Sequence, residues 1–254
     1  MYKKTIIIIT FFISLISFKE IYARSVLITG ANRGLGLELT KQYLHDGWDV
    51  IATARTPNDD KELFILKDKY SSLRIEKLDV TNLGHIKNLV EILNGFPIDI
   101  VINNAGILGD PTKQQFGNLD FDSANNIFNT NTFAPLMIAE AFVDNIRLGK
   151  LKKIINISSI VGSIELTTGN IYFYRASKTA LNMLMKNLSL QLKDQGVIVG
   201  LIHPGVVDTD MTSRFNIKKV PVGESVKGIR EVIKNYTMKE TGSFFDYKGN
   251  PLPW

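Results

Sequence analysis

The sequence has no cysteine and only three histidines among its 254 residues. Without cysteine the protein can form neither disulfide bonds nor thiolate metal sites, although this absence fits any redox compartment. The histidines, at positions 45, 85 and 203, are scattered along the chain, so we predict no metal site. His203 directly precedes Pro204 and is expected to be structural.

Clusters of basic charge are also missing. The formal net charge is +5, and removal of residues 1–23, which carry three lysines and one glutamate, would lower it to +3. No basic block or alternation of basic and aromatic residues resembles a nucleic-acid-binding surface. We therefore predict no nucleic-acid partner and interpret the lysines as solvated surface.

The first 23 residues have the organisation of a secretory leader. Lys3 and Lys4 provide a positive start, residues 5–18 form a fourteen-residue apolar core, and residues 21–23 form a cleavage site. The core is shorter than the ~20 apolar residues that span a bilayer. We predict a signal peptide, residues 1–23, and a periplasmic or secreted domain, residues 24–254. The alternative is an uncleaved anchor with the domain facing the cytoplasm, because Ile21, at the −3 position of the cleavage site, is bulky. We expect the protein to contact a membrane only in that case.

The rest of the chain is predicted to form one α/β domain. Its length and 44% hydrophobic content suffice for one buried sheet, and no linker or repeat divides it. Short β-branched runs alternate with amphipathic stretches, beginning with Ser25–Thr29 and Leu37–His45. This alternation predicts a Rossmann-like, doubly wound parallel sheet of about seven strands with helices on both faces.

Two segments in the middle of the chain bear on the site. Residues 107–118 are polar and contain glycine, which predicts a loop that contacts substrate. Residues 121–148 have helical periodicity and predict one long helix. We expect Phe121, Phe128 and Phe133 of this helix in the core.

A glycine-rich turn, residues 30–36 (Gly-Ala-Asn-Arg-Gly-Leu-Gly), separates the first strand from the first helix. Strand, turn and helix together place backbone N–H groups and the positive end of a helix where a pyrophosphate can bind. We expect Gly30 to allow the tight turn, Gly34 to let a phosphate approach, and Gly36 to let the helix lie close to the strand.

Two arginines predict which dinucleotide binds. Arg33 lies in the glycine turn, and Arg55 follows the second strand, where an NAD-selective enzyme usually has an acidic residue. Guanidinium groups bind a 2′-phosphate by charge-assisted hydrogen bonds, whereas a carboxylate repels it. Asp59 and Asp60 come later and are expected to lie too far away. The sequence therefore predicts NADP(H).

Tyr174 and Lys178 are four residues apart, a spacing that places two side chains on one helix face with Cα atoms ~6 Å apart. An ammonium beside the phenol would lower the phenol's pKa from about 10. Tyr174 could then exchange a proton with an alcohol or carbonyl oxygen near neutral pH. Tyr172 is a weaker candidate, since Ala176 lies four residues on.

Taken together, these segments resemble the short-chain dehydrogenase/reductase family over Ser25–Trp254. Residues 29–36 match its Thr-Gly-x-x-x-Gly-x-Gly pattern, and the tyrosine–lysine pair follows in the family's order. The resemblance implies that Tyr174 is the general acid/base and that Lys178 binds the nicotinamide ribose. It selects Ser159 rather than Ser158 to bind the reacting oxygen, and gives Asn131 the role of anchoring a water.

The resemblance also assigns cofactor contacts after the later strands. Asp79 and Val80 would contact the adenine, residues 104–106 would line the cofactor site, and residues 204–209 would lie beside the nicotinamide. The complete expected cofactor set is Gly30, Asn32, Arg33, Gly34, Leu35, Gly36, Arg55, Asp79, Val80, Asn104, Ala105, Gly106, Tyr174, Lys178, Pro204, Gly205, Val207 and Thr209.

Within this family, residues 159–164, 172–178 and 246–254 resemble the C-factor and sniffer-type carbonyl reductase branch. Two functions follow as alternatives. The first is an enzyme that interconverts a small carbonyl substrate, an aldehyde or ketone, and its alcohol. The second is an exported nucleotide-binding signalling or sensor protein of the C-factor type. Members of the family often pair through their long helices, which implies a homodimer or homotetramer.

Overall fold

A parallel sheet is the centre of the protein. The computed structural model describes residues 24–57 and 60–254, so the predicted leader lies outside the described residues. Seven strands pair in parallel in the order β3-β2-β1-β4-β7-β8-β9, and β5 and β6 form a separate antiparallel hairpin. The strands of the described chain are β1 (Ser25–Ile28), β2 (Asp49–Ala54), β3 (Leu73–Lys77), β4 (Ile100–Asn103), β5 (Gln114–Gln115), β6 (Asn118–Leu119), β7 (Lys153–Ile157), β8 (Ile198–His203) and β9 (Phe244–Asp246).

Helices cover both faces of this sheet. Strand side chains alternate between the faces: Val26 and Ile28 pack with one apolar cluster, and Leu27 between them packs with the other. Because both faces are buried, the central strands are apolar throughout. This confirms the predicted doubly wound fold. The helices are α1 (Gly34–His45), α2 (Lys61–Lys69), α3 (Leu83–Ile92), α4 (Phe121–Phe128), α5 (Ala134–Ala141), α6 (Val143–Leu148), α7 (Tyr172–Leu192) and α8 (Val222–Asn235).

The segment 121–148 differs from the prediction of one long helix. A π-helical turn, Asn129–Phe133, separates α4 from α5, and Phe142 separates α5 from α6. Two of the three phenylalanines expected in the core were also placed wrongly: Phe121 is 70% and Phe133 49% exposed, whereas Phe128 is partly buried. The π turn widens the helix, so the faces of the two halves are out of register and a single 3.6-residue period does not describe them.

The carboxyl ends of the central strands meet at one edge of the sheet, where open α/β folds bind ligands. β1 leads there into the glycine turn, β4 into Asn104, β7 into Ser158 and β8 into Pro204. No helix among the described residues is both long enough and apolar enough to cross a bilayer. The same residues contain no group of three or more potential metal-ligating side chains.

Candidate active site

The glycine turn packs directly against the residues that follow strand β4. A Cβ atom at Gly36 would lie 2.6 Å from Asn104 Nδ2 and would also collide with the carbonyl oxygen of Gly30, so only glycine fits. Asn104 Nδ2 donates to the carbonyl oxygens of Thr29 (2.9 Å) and Gly30 (3.0 Å). Its carboxamide therefore shapes the turn, whose backbone remains available to a phosphate.

Thr29 ties the ends of β1 and β4 together. Its hydroxyl oxygen accepts from the backbone N–H groups of Asn104 and Ala105, both at 3.0 Å. The sequence reasoning used Thr29 only as part of a motif and missed this role. Leu35, predicted to contact the cofactor, packs its side chain on the apolar core, so only its backbone can face a ligand.

The arginines predicted to bind a 2′-phosphate are both exposed. Arg33 forms an ion pair with Asp210 across the cleft, with Nη1 3.2 Å from Oδ2. Arg55 follows β2 and lies near Asp79. Burial raises the pKa of Asp79, but hydrogen bonds from Thr81 and the positive charge of Arg55 outweigh it, so the net pKa is below its ordinary value.

Asp60 lies closer to the glycine turn than the sequence suggested. Its Oδ1 accepts a hydrogen bond from Asn32 Nδ2 at 3.3 Å, so the expectation that it is too distant is wrong. Asp59 lies outside the described residues.

The Tyr174 phenol and the Ser159 hydroxyl are brought together by close packing of α7 on the turn after β7. The Ser159 hydroxyl oxygen caps this turn by accepting from the Val161 N–H at 3.4 Å. Gly162 of the turn touches α7 so closely that a Cβ atom there would lie 2.8 Å from Lys178 Cβ. This packing brings the Ser159 hydroxyl close enough to the Tyr174 phenol to influence its pKa.

The pKa of Tyr174 differs from the sequence-based expectation. Burial raises it to about 12, although the hydrogen bond with Ser159 lowers it in part. The expected lowering by Lys178 is wrong for the protein by itself. Lys178 Nζ lies 5.9 Å from the Tyr174 ring centroid and donates to the Ile157 carbonyl at 2.8 Å, and burial lowers the pKa of Lys178 to about 8. Burial thus acts on both side chains: it raises the pKa of the phenol and makes the positive charge on Lys178 less favourable.

Asn131 lies in the π-helical turn, with its side chain fully engaged. Oδ1 accepts from the Ile107 N–H and Nδ2 donates to the Ile107 carbonyl, both at 2.8 Å. Nδ2 also donates to Ser177 Oγ at 3.2 Å, and Ser177 donates to the Tyr174 carbonyl at 2.8 Å. The carboxamide therefore holds the substrate-side loop and α7 in place, which leaves its backbone as the part that could anchor a water.

Of the rival residues, Ser158 is buried and its hydroxyl donates to Oδ1 of Asn182, on α7, at 2.6 Å. Tyr172 is 47% exposed at the start of α7. His203 is buried, which lowers its pKa to about 4 despite the opposing charge of Asp246. A neutral histidine at physiological pH fits its expected structural role.

The segment after β8 closes the remaining side of the cleft. The Pro204 carbonyl accepts from Ser225 Oγ at 2.6 Å, and Gly205 packs against the ring of Tyr247. Thr209 caps a short helical turn and lies against Gly34 of the glycine turn. Among the predicted cofactor residues, Gly30 thus lies beside Ala105, Gly36 beside Asn104 and Gly34 beside Thr209. Val80 and Val207 are buried.

Replacing Lys178 by methionine tests the cost of burying its ammonium. In the cofactor-free protein the pKa of Lys178 is about 8 when the chain is folded and about 10.5 when it is unfolded. Below pH 8 Lys178 is therefore charged in both the folded and the unfolded chain, and burial of this charge destabilises the folded state. Between these values only the unfolded chain holds the proton, so wild-type stability rises with pH by at most about 3 kcal/mol. Urea unfolding should show Lys178→Met more stable than wild type at pH 7, by a margin that shrinks by pH 10. A margin independent of pH would contradict this.

Comparison with known proteins bears out the resemblance. The family model described as short chain dehydrogenase matches residues 24–219. The "C-signal" protein of Myxococcus xanthus is 36% identical over 159 residues, which cover 62% of this chain and 93% of that protein.

Two solved structures are similar over nearly the whole chain. The NADPH-bound carbonyl reductase from chicken fatty liver has a TM-score of 0.85 and 35% identity, covering 91% of this chain and 99% of its own. The carbonyl reductase Sniffer of D. melanogaster has a TM-score of 0.84 and 33% identity, covering 92% and 100% respectively.

Proposed function

Because this chain belongs to the short chain dehydrogenase family, we propose that it is an NADP(H)-dependent reductase of aldehydes or ketones. The observation that carries the proposal is the grouping of three side chains: the Ser159 hydroxyl lies close enough to the Tyr174 phenol to lower its pKa, and the Lys178 ammonium lies 5.9 Å from the tyrosine ring centroid. Carbonyl reductases among the similar structures add support.

The residues present fit a nicotinamide dinucleotide. The N-cap residue of α1, Arg33, makes no side-chain hydrogen bond to the first N–H groups of the helix, so the glycine turn leaves them for a phosphate. Asp79 would contact the adenine, and Lys178 would hold the nicotinamide ribose. When bound, the cofactor would supply the hydride that adds to the carbonyl carbon.

Tyr174 and Ser159 would protonate and hydrogen-bond the carbonyl oxygen of the substrate. With a pKa of about 12, Tyr174 carries its proton at neutral pH and can donate it to the oxygen as negative charge develops there. The Ser159 hydroxyl would hydrogen-bond the same oxygen and stabilise that charge. The remaining phenolate would be stabilised by Ser159 and by the nearby Lys178 ammonium. The product is the alcohol.

A panel of aldehydes and ketones with NADPH tests this function. The oxidation of NADPH, followed by its absorbance, should be rapid for at least one apolar carbonyl compound and absent without it. Tight NADPH binding with no turnover across the panel would instead support the alternative, a nucleotide-binding sensor. The similarity to C-signal keeps that alternative worth testing.

Cofactor preference is tested by Arg55→Glu. A guanidinium that pairs with the 2′-phosphate contributes a charge-assisted hydrogen bond, so its loss should weaken NADPH binding about 10- to 100-fold and leave NADH binding within about twofold. Lys61→Glu, with the same charge change at the exposed start of α2, is the matched control and should keep the wild-type preference. Equal losses of affinity for NADPH and NADH in Arg55→Glu would argue against a contact between Arg55 and the 2′-phosphate. The comparison matters because Asp60, a carboxylate, also lies near the glycine turn.

We also propose that residues 1–23 direct the protein out of the cytoplasm. The positive start, short apolar core and small residue at position 23 support this. Protease treatment of spheroplasts, from which the outer-membrane barrier has been removed, separates the cases: an exported domain would be released or digested, whereas a domain facing the cytoplasm would stay protected. A protected domain would replace export with a cytoplasmic-facing anchor.

A further inference from the structure

The residues that lead into the catalytic helix have an unusual backbone conformation. Gly169, Asn170 and Ile171 have φ angles of 82°, 55° and 37°, so three successive residues lie in the left-handed region. Glycine adopts this conformation readily and asparagine tolerates it, but a β-branched residue there is an outlier. Such a conformation persists only where surrounding groups hold it, and Ile171 directly precedes α7.

Gln114 is one of the groups that hold this helix start. Its side chain is fully buried, and its Oε1 accepts a hydrogen bond from the backbone N–H of Tyr174 at 2.8 Å. The first N–H groups of a helix have no partner within the helix. Ile171 offers no side-chain oxygen to cap them. The cap comes instead from a residue 60 positions earlier, and it binds the very residue whose phenol donates the proton.

The other end of the same carboxamide fixes the substrate-side loop. Gln114 Nε2 donates to the carbonyl oxygens of Leu108 at 2.8 Å and Asp110 at 3.3 Å. Both donor hydrogens and the acceptor of this buried side chain are therefore used. One side chain thus joins the 107–119 loop to the first turn of α7.

Arg175 holds the helix start from the opposite side. Its Nε donates to the Asn170 carbonyl at 3.1 Å and its Nη2 donates to Thr168 Oγ1 at 2.9 Å. Arg175 thereby ties Thr168 and Asn170, in the loop between Ser159 and Tyr174, to α7. The hydrogen bonds of Gln114 and Arg175 together hold residues 169–171 and the start of α7 in this strained conformation.

We infer that Gln114 is a positioning residue of the reductase site, which sets the place of the Tyr174 phenol relative to the substrate held by the 107–119 loop. This inference rests on the proposed function. Gln114 touches neither Lys178 nor the glycine turn through any of its hydrogen bonds. Its loss should therefore lower kcat while NADPH affinity stays unchanged.

The test compares Gln114→Met with Gln191→Met. Methionine keeps the length of the side chain and removes every hydrogen bond, and Gln191 is an exposed glutamine at the far end of α7, outside the 107–119 loop. In the full-length protein at saturating NADPH, Gln114→Met should lower kcat about 10- to 100-fold, since small displacements of reacting groups have effects of this size. NADPH affinity should stay within about twofold. Gln191→Met should match wild type in both.

Gln114→Glu adds a readout that a packing role would not change. A protonated carboxyl group can accept from the Tyr174 N–H and donate to the Leu108 carbonyl, whereas a carboxylate can only accept. The kcat of this variant, relative to wild type at the same pH, should therefore recover on acidification. If Gln114→Met fails to fold, this pH response decides the matter.

Three results would overturn the inference. These are a kcat for Gln114→Met within about threefold of wild type, a loss that matches the unfolded fraction seen by circular dichroism, and a flat relative pH profile for Gln114→Glu. A wild-type protein that binds NADPH but reduces no carbonyl compound would instead defeat the proposed function, and that result is visible before any variant is made.

Discussion

Tyr174→Phe should lower kcat for NADPH-dependent carbonyl reduction by about 10²- to 10⁴-fold, the usual contribution of a general acid. The substitution removes only the phenolic oxygen, so packing of the ring is kept. NADPH binding, measured by fluorescence titration, should stay close to wild type, because the ring is retained and Lys178 is unchanged.

Tyr172→Phe is the matched control for this substitution. Tyr172 lies in the same first turn of α7, is 47% exposed and loses the same single oxygen. It should retain wild-type kcat. Substantial turnover by Tyr174→Phe, or an equal loss in both variants, would remove Tyr174 from the reaction.

Gly36→Ala should abolish NADPH binding and destabilise the protein. The added Cβ atom would lie 2.6 Å from Asn104 Nδ2 and against the Gly30 carbonyl oxygen, so the helix start must move away from the turn. Overpacking of this kind costs typically 1–3 kcal/mol and occasionally more, and the displaced N–H groups would no longer face a phosphate. Thermal unfolding and NADPH titration measure the two effects.

Gly223→Ala is the comparison for this prediction. Gly223 lies in the first turn of α8, where an added Cβ atom would meet only Glu38 Oε1 at 3.6 Å. Alanine is favoured over glycine in a helix by up to about 1 kcal/mol. Gly223→Ala should therefore be as stable as wild type or more so, with normal NADPH binding. Normal binding by Gly36→Ala as well would show that close contact at this turn is not required.

Much of the fold could be predicted because its signals are local. The first strand and the first helix lie where the segments Ser25–Thr29 and Leu37–His45 predicted them, as β1 (Ser25–Ile28) and α1 (Gly34–His45). The glycine turn also contacts Asn104, Ala105 and Thr209, since the carboxyl ends of parallel strands share one edge of the sheet. Asp60 was misplaced for the opposite reason: the path of an irregular loop depends on contacts that its own sequence does not reveal.

Gln114 shows the limit most clearly. Nothing in the polar segment around it distinguishes it from the exposed Gln115, yet it caps α7 from 60 residues away. Its role depends on which loop meets which helix. The π-helical turn that carries Asn131 is similar, because its engagement with Ile107 and Ser177 is made only in the folded chain.

By itself the sequence determined the strand–helix alternation, the glycine turn and the tyrosine–lysine pair, all of which depend on residues within a few positions of one another. Only the tertiary structure decided the pKa values of Tyr174 and Lys178. Burial raises the pKa of Tyr174 and lowers that of Lys178, because desolvation penalises whichever form is charged. That burial is created by segments far apart in the chain, so spacing between the two residues could not predict it.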